Sequence, residues 1–154
     1  MDEWKLPWNG GCRCGEIRLR VTMPPLLAGA CHCTGCQKMT GSAFSITLTV
    51  PSDGFKVTVG EPIRGGLGSG VSHHMHCPKC LSWVYTRADG FDWFVNVRAT
   101  MLDDDGWFAP FVELWTDEKL PWAQTGAPRS YQRDPDLAEW EELMQAYAQE
   151  GARP

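Results

Sequence analysis

Seven cysteines fall into three tight groups, and that grouping limits what this chain can become more than any other feature. Cys12 and Cys14 form the first pair, Cys31, Cys33 and Cys36 a C-x-C-x-x-C triplet, and Cys77 and Cys80 a C-x-x-C pair. An odd number of thiols suits pairwise bridging poorly. The chain starts Met1-Asp2-Glu3-Trp4-Lys5, with no basic head followed by an apolar run, and no stretch approaches the roughly 20 apolar residues of a membrane span. The expected compartment is therefore a reducing cytoplasm, where clustered cysteines serve as metal ligands or reactive thiols rather than disulfides.

Zinc sites that only hold structure take four protein ligands, whereas catalytic sites usually take three and keep one position open. Seven divides economically as four plus three. Cys12, Cys14, Cys77 and Cys80 then close one site, and Cys31, Cys33 and Cys36 form an open one from a single segment, giving two Zn²⁺ per chain. A ribbon built from Cys33, Cys36, Cys77 and Cys80 is the competing division and leaves Cys12, Cys14 and Cys31 spare. His32 lies between two ligands of an extended segment, so its side chain is expected to face away from them in a supporting role. His73, His74 and His76 are expected as exposed imidazoles.

Three thiolates on Zn²⁺ leave a net negative complex that generates hydroxide poorly, so a fourth thiol arriving as substrate is the better match. Zinc would hold it as the nucleophilic thiolate. The fitting electrophile is a small aldehyde, giving a hemithioacetal. Lys38, two residues past Cys36, is the candidate partner for a substrate carboxylate, with Arg64 and Arg98 as weaker ones.

The rest of the chain predicts a mainly β fold. Ile17, Leu19 and Val21 alternate with Glu16, Arg18 and Arg20. Further strands are expected over 43–50, 55–59, 71–76, 82–87, 91–97 and 111–115, separated by turn signals. Asp134-Pro135 predicts a helix start, and Leu137, Trp140, Met144 and Tyr147 an apolar stripe over 135–149. That gives a zinc-binding β domain over 1–133, a helical extension over 134–150 packed on it or pairing two copies as a homo-oligomer, and a tail over 151–154. Lys5-Leu6-Pro7-Trp8 recurs as Lys119-Leu120-Pro121-Trp122 without a longer period, and both tryptophans are expected to be packed. A net charge of −5 with no basic run argues against nucleic acid or an anionic membrane as partner.

Gly11-Cys12-Arg13-Cys14-Gly15, the stretch Cys31 to Phe44, Cys77-Pro78-Lys79-Cys80 and Trp115 to Trp122 together resemble the glutathione-dependent formaldehyde-activating enzyme family, which also includes centromere protein V. The resemblance covers about residues 10–125. It implies a β-tent of antiparallel sheets and the same four-plus-three zinc division. It also implies that glutathione and formaldehyde are joined into S-hydroxymethylglutathione, a carbon–sulfur lyase reaction run in reverse. Leu81 stands where that family usually has glycine, His76 where it commonly has an apolar residue, and the 135–149 helix runs past its usual end. The rival reading is a non-catalytic, zinc-stabilised binding module.

Overall fold

The computed structural model describes residues 4–154; of the amino-terminal segment read above, residues 1–3 lie outside them. Three strands, β1 (Trp8–Gly11), β2 (Arg18–Val21) and a later β5 (Phe55–Val59), make a small antiparallel sheet in the order β1-β2-β5. The alternation in β2 works as read: Ile17, Leu19 and Val21 are fully buried while Arg20 faces out. Gly10 is needed where β1 crosses residue 101, because a Cβ there would sit 2.1 Å from the Met101 carbonyl oxygen.

The second sheet has eight strands: β3 (Leu27–Cys31), β4 (Ser45–Pro51), β6 (Ile63–Arg64), β7 (Ser72–His76), β8 (Trp83–Ala88), β9 (Phe94–Arg98), β10 (Val112–Leu114) and β11 (Arg129–Ser130). Their order is β11-β10-β3-β4-β9-β8-β7-β6. Period two sorts this sheet into two chemically distinct faces. Leu48, Val50, Val95, Val97 and Tyr85 turn inward to a core shared with Leu19, Val21 and Phe55. Thr47, Thr49, Asn96 and Thr86 turn the other way.

Several expectations need correction. The architecture is mainly β as read, but the large sheet is mixed: β10 runs parallel to both β3 and β11. The chain leaves β9 in the middle of the sheet and crosses to the β3 edge through residues 99–111, which sets that direction. The triplet is not one extended segment. β3 ends at Cys31, and a helix, α1 (Thr34–Thr40), begins after Cys33. Strands β1 and β3 are short and contain glycine, and β6 and β11 have two residues each, so none of the four carries an alternating apolar signal in the sequence. Strand β9 starts at Phe94, with Phe91 and Trp93 half-exposed before it.

The carboxy-terminal helix is α2 (Leu137–Glu150), and its cap is Asp136 rather than Asp134. Asp136 accepts from the Glu139 N–H while the Glu139 carboxylate accepts from the Asp136 N–H, a reciprocal capping box. Its buried stripe is Leu143 and Tyr147, with Trp140 and Met144 partly covered, and Leu137 is exposed. Tyr147 packs on Phe111 at 5.6 Å and on Trp4 at 5.8 Å between ring centroids, so the helix joins the same core as the sheets. Of the two repeated tryptophans, Trp8 is buried against Trp107, but Trp122 is 71% exposed. Among the described residues no helix is long and apolar enough to cross a membrane.

Candidate metal centres and the cavity beside one of them

Cys12 and Cys14 lie in the turn between β1 and β2, and Cys77 and Cys80 in the turn between β7 and β8. The fold brings these two turns together. All four sulfurs lie within 4.8 Å of one another, with Sγ of Cys14 3.6 Å from Cys12 and 3.7 Å from Cys77. Backbone amides aim at the sulfurs: Ile17 N–H donates to Cys12 at 3.2 Å, and Lys79 and Cys80 N–H both donate to Cys77 at 3.4 Å. Burial pushes the Cys12 thiol up, but the Ile17 amide and the neighbouring thiols outweigh it and the net shift is downward. Cys80 falls to about 5, chiefly through the Ser82 hydroxyl and amide. Leu81, at the family's glycine position, has φ +58, the left-handed region that glycine enters at least cost. Cys77 and Cys80 meet Cys12 and Cys14 and not the triplet, the grouping of the four-plus-three division rather than of the ribbon.

Cys31, Cys33 and Cys36 form the second cluster, again within 4.8 Å, and each is partly exposed. Local structure explains the convergence. Cys31 ends a strand, Cys33 is the N-cap of α1 and accepts the Cys36 N–H at 3.3 Å, and Cys36 sits in the first helical turn. The Ser45 hydroxyl donates to Cys36 Sγ at 3.1 Å. Hydrogen bonds from Cys31 and Cys36 pull Cys33 down to about 2. Cys31 is driven up by that sharing, and Cys36 also rises: its bond with Cys31 lowers it, but Cys33 and burial outweigh that. Three sulfurs this close ionise together only around a cation, and an all-thiolate set suits a soft or borderline one.

The triplet is braced from behind. His32 is fully buried, faces away from Cys31 as read, and places Nε2 2.8 Å from the Glu113 carboxylate. Glu113 also accepts from Thr125 at 2.8 Å and Ser130 at 2.7 Å, with Lys119 Nζ at 3.8 Å. Burial pushes this carboxyl up, but the bonds from Ser130, His32 and Thr125 prevail and hold it at about 2. Glu118 accepts the Thr34 N–H at 2.6 Å, and Gln37 bonds the carbonyls of His32 and Glu118. Sequence reasoning missed both glutamates. The available signal was a carboxylate in the middle of the apolar strand Phe111–Trp115.

Cys31 and Cys36 open onto a cavity of about 340 Å³ over the polar face of the large sheet. Strand register arranges its floor in rows. Cys31 pairs with Ser45. Gly29, Thr47 and Arg98 form the next row. Leu27, Thr49, Asn96, Thr86 and His74 form the one beyond. Thr49 donates to Asn96 at 2.7 Å, and Thr86 meets His74 at 2.9 Å and the Trp83 indole N–H at 3.0 Å. The histidines are thus partly covered rather than exposed: burial lowers the His74 pKa, His73 pairs with Asp89, and His76 bonds the His74 carbonyl. None joins a thiol cluster among the described residues.

Lys38, the expected substrate cation, is exposed in the last turn of α1 and is not among the cavity walls. Arg64 donates to the carbonyls of Gly70 and Ser72 and holds the glycine-rich loop. The arginine on the cavity wall is Arg98.

A family profile described as "Glutathione-dependent formaldehyde-activating enzyme" matches residues 7–118. A Podospora anserina protein is 28% identical over 86% of this chain and 67% of its own length, and a Halomonas elongata protein 28% identical over 86% and 92%. Both are named "Putative glutathione-dependent formaldehyde-activating enzyme". A solved Rhodobacter sphaeroides protein superposes with TM-score 0.48 at 19% identity, over 62% of this chain and 87% of that one, a likeness too loose to argue from.

Proposed function

The chain belongs to the glutathione-dependent formaldehyde-activating enzyme family, and from that premise we propose that it joins a thiol, glutathione or a close analogue, to formaldehyde or a similarly small aldehyde. The supporting observation is the contrast between a cluster of four thiols, a complete tetrahedral set, and a cluster of three that leaves one position free beside a cavity lined by Cys31 and Cys36. A zinc ion held by Cys31, Cys33 and Cys36 would lower the pKa of an incoming thiol and supply the fourth position for its sulfur. Cys12, Cys14, Cys77 and Cys80 are assigned a second zinc with a purely structural task.

The chain's own residues do the rest. Cys31, on the last residue of β3, and Cys36, held by the Ser45 hydroxyl, fix two corners of the open set. The sheet face beside them holds the body of the thiol while its sulfur is placed next to the aldehyde, a gain of proximity rather than of strong acid–base chemistry. The sulfur bonds the carbonyl carbon, the C=O double bond becomes a single bond, and the proton lost from sulfur ends on that oxygen. Run backwards, the same step breaks a carbon–sulfur bond. His32 is not the proton carrier: its Nε2 is committed to Glu113 on the far side of the strand.

Magnetisation-transfer NMR of glutathione–formaldehyde exchange tests this. The zinc-loaded protein is expected to exceed the uncatalysed rate, and Cys33→Ser to return it to background. Equal rates with and without protein would discard the activity and leave a zinc-stabilised binding module.

A further inference from the structure

We infer that the polar face of the large sheet is the subsite for the tail of the thiol substrate, and that Arg98 is the receptor for an anionic group on that tail. This rests on the reading above that a thiol enters at Cys31, Cys33 and Cys36.

Arg98 is an unusual residue for its place. It ends β9, is 7% exposed, and lines the cavity together with Cys31 and Cys36. Its guanidinium carbon lies 4.0 Å from the centroid of the Trp83 ring, which fixes its plane without neutralising its charge. Its Nε is buried without a hydrogen-bond partner, and no carboxylate of the described residues pairs with it. Its opposite charges are the thiolates of Cys36 and Cys31, which favour the guanidinium's charged form but give it no hydrogen bond, so its donors remain open to an anionic acceptor in the cavity. Among the described residues the one carboxylate on the cavity wall, Asp134, accepts the Trp115 indole N–H instead.

The rows on the sheet give the subsite a length and a chemistry. Cys31 and Ser45 mark the sulfur end. Arg98 sits one row further on, across from Thr47, and Asn96 and Thr86 one row beyond that. From Ser45 to Thr49 the floor runs four residues, about 14 Å at the usual strand rise. A thiol carried by three linked residues is about 10 Å long when extended. The floor presents hydroxyls, an amide and one guanidinium, which suit peptide bonds and a carboxylate, while Leu27, Leu114 and Trp140 line the same cavity and suit the methylenes between them. Gly29 keeps the middle row low, since any side chain there would stand between Val112 and Thr47.

The test separates the tail from the sulfur chemistry. S-methylglutathione has no thiol to ionise, and its dimethyl ester also lacks both carboxylates. Titrated calorimetrically into the zinc-loaded protein, the acid is expected to bind roughly tenfold or more tightly than the ester, as a charge-assisted bond to a buried guanidinium requires. Arg98→Met should abolish that preference and Arg98→Lys should keep most of it, with circular dichroism confirming the fold of each. Equal binding of acid and ester by the wild type, no binding of either, or a preference that survives Arg98→Met would overturn the proposal. The comparison within the wild type needs no variant, so a misfolded Arg98→Met leaves it decisive. A wild type that prefers the acid but fails to accelerate exchange would instead defeat the proposed reaction and leave the subsite standing.

Discussion

The two cysteine clusters are built from the same atom at similar spacing, yet they are placed in opposite ways. The four-thiol cluster joins turns 63 residues apart in sequence, with Cys12 and Cys77 buried, backbone amides aimed at that buried pair, and Cys14 at the surface. It ties the β1-β2-β5 sheet to the β7–β8 end of the large one. The three-thiol cluster is drawn from six consecutive residues, ties no distant parts together, and leaves every sulfur partly open. Whether a thiol cluster serves the fold or the chemistry is set by what else it connects.

The strongest way to break that contrast is a pair of single substitutions. Cys77→Ser should cost the fold dearly, since losing a structural metal site exceeds about 4 kcal/mol, or roughly 10 °C or more in Tm for a chain this size. Cys33→Ser should leave Tm within a few degrees and cut thiol–aldehyde exchange roughly a hundredfold or more. Thermal melts and exchange rates on both variants decide it; equal losses of stability would erase the distinction.

A smaller effect sharpens it. Glu113→Gln weakens the brace behind the triplet without touching a sulfur and should lower metal affinity at that cluster about tenfold, measured by competition with a chelator. Its acid sensitivity has a definite sign. The folded carboxyl is held at about 2, below its ordinary value, so its stabilisation is complete above the unfolded pKa of about 4.3 and is lost as pH falls toward 2. The variant should therefore lose less stability than the wild type between those values in an acid titration followed by circular dichroism. The smallest effect belongs to the closed cluster: Leu81→Gly should raise Tm by about 1–3 °C, because relief of the left-handed strain slightly exceeds glycine's entropy cost and the side chain is 64% exposed.

Much of this was legible in the cysteines themselves. Their number and spacing favoured a four-plus-three division over a ribbon of Cys33, Cys36, Cys77 and Cys80, and only the fold's pairing of the two turns separates the two; the alternation around Ile17, Leu19 and Val21 and around Val95 and Val97 showed which faces are buried. What stayed hidden depends on contacts between distant strands. The parallel pairing of β10 with β3 brings Glu113 beside His32, and no local pattern records that. The helix after Cys33 was obscured because cysteine is an uncommon N-cap, although its sulfur here caps a backbone amide. Lys38 was favoured for its closeness in sequence to Cys36, but the helix carries it outward, while Arg98, 62 residues from Cys36, reaches the cavity through strand register.

The central claim, one closed and one open cluster, is tested most directly by replacing the metal with Co²⁺ and adding glutathione. The thiolate-to-cobalt absorption should grow by about one thiolate's share in the wild type, and should not respond at all in Cys33→Ser, where only the four-thiol cluster remains intact. No response in the wild type, or the same response in both proteins, would contradict the account.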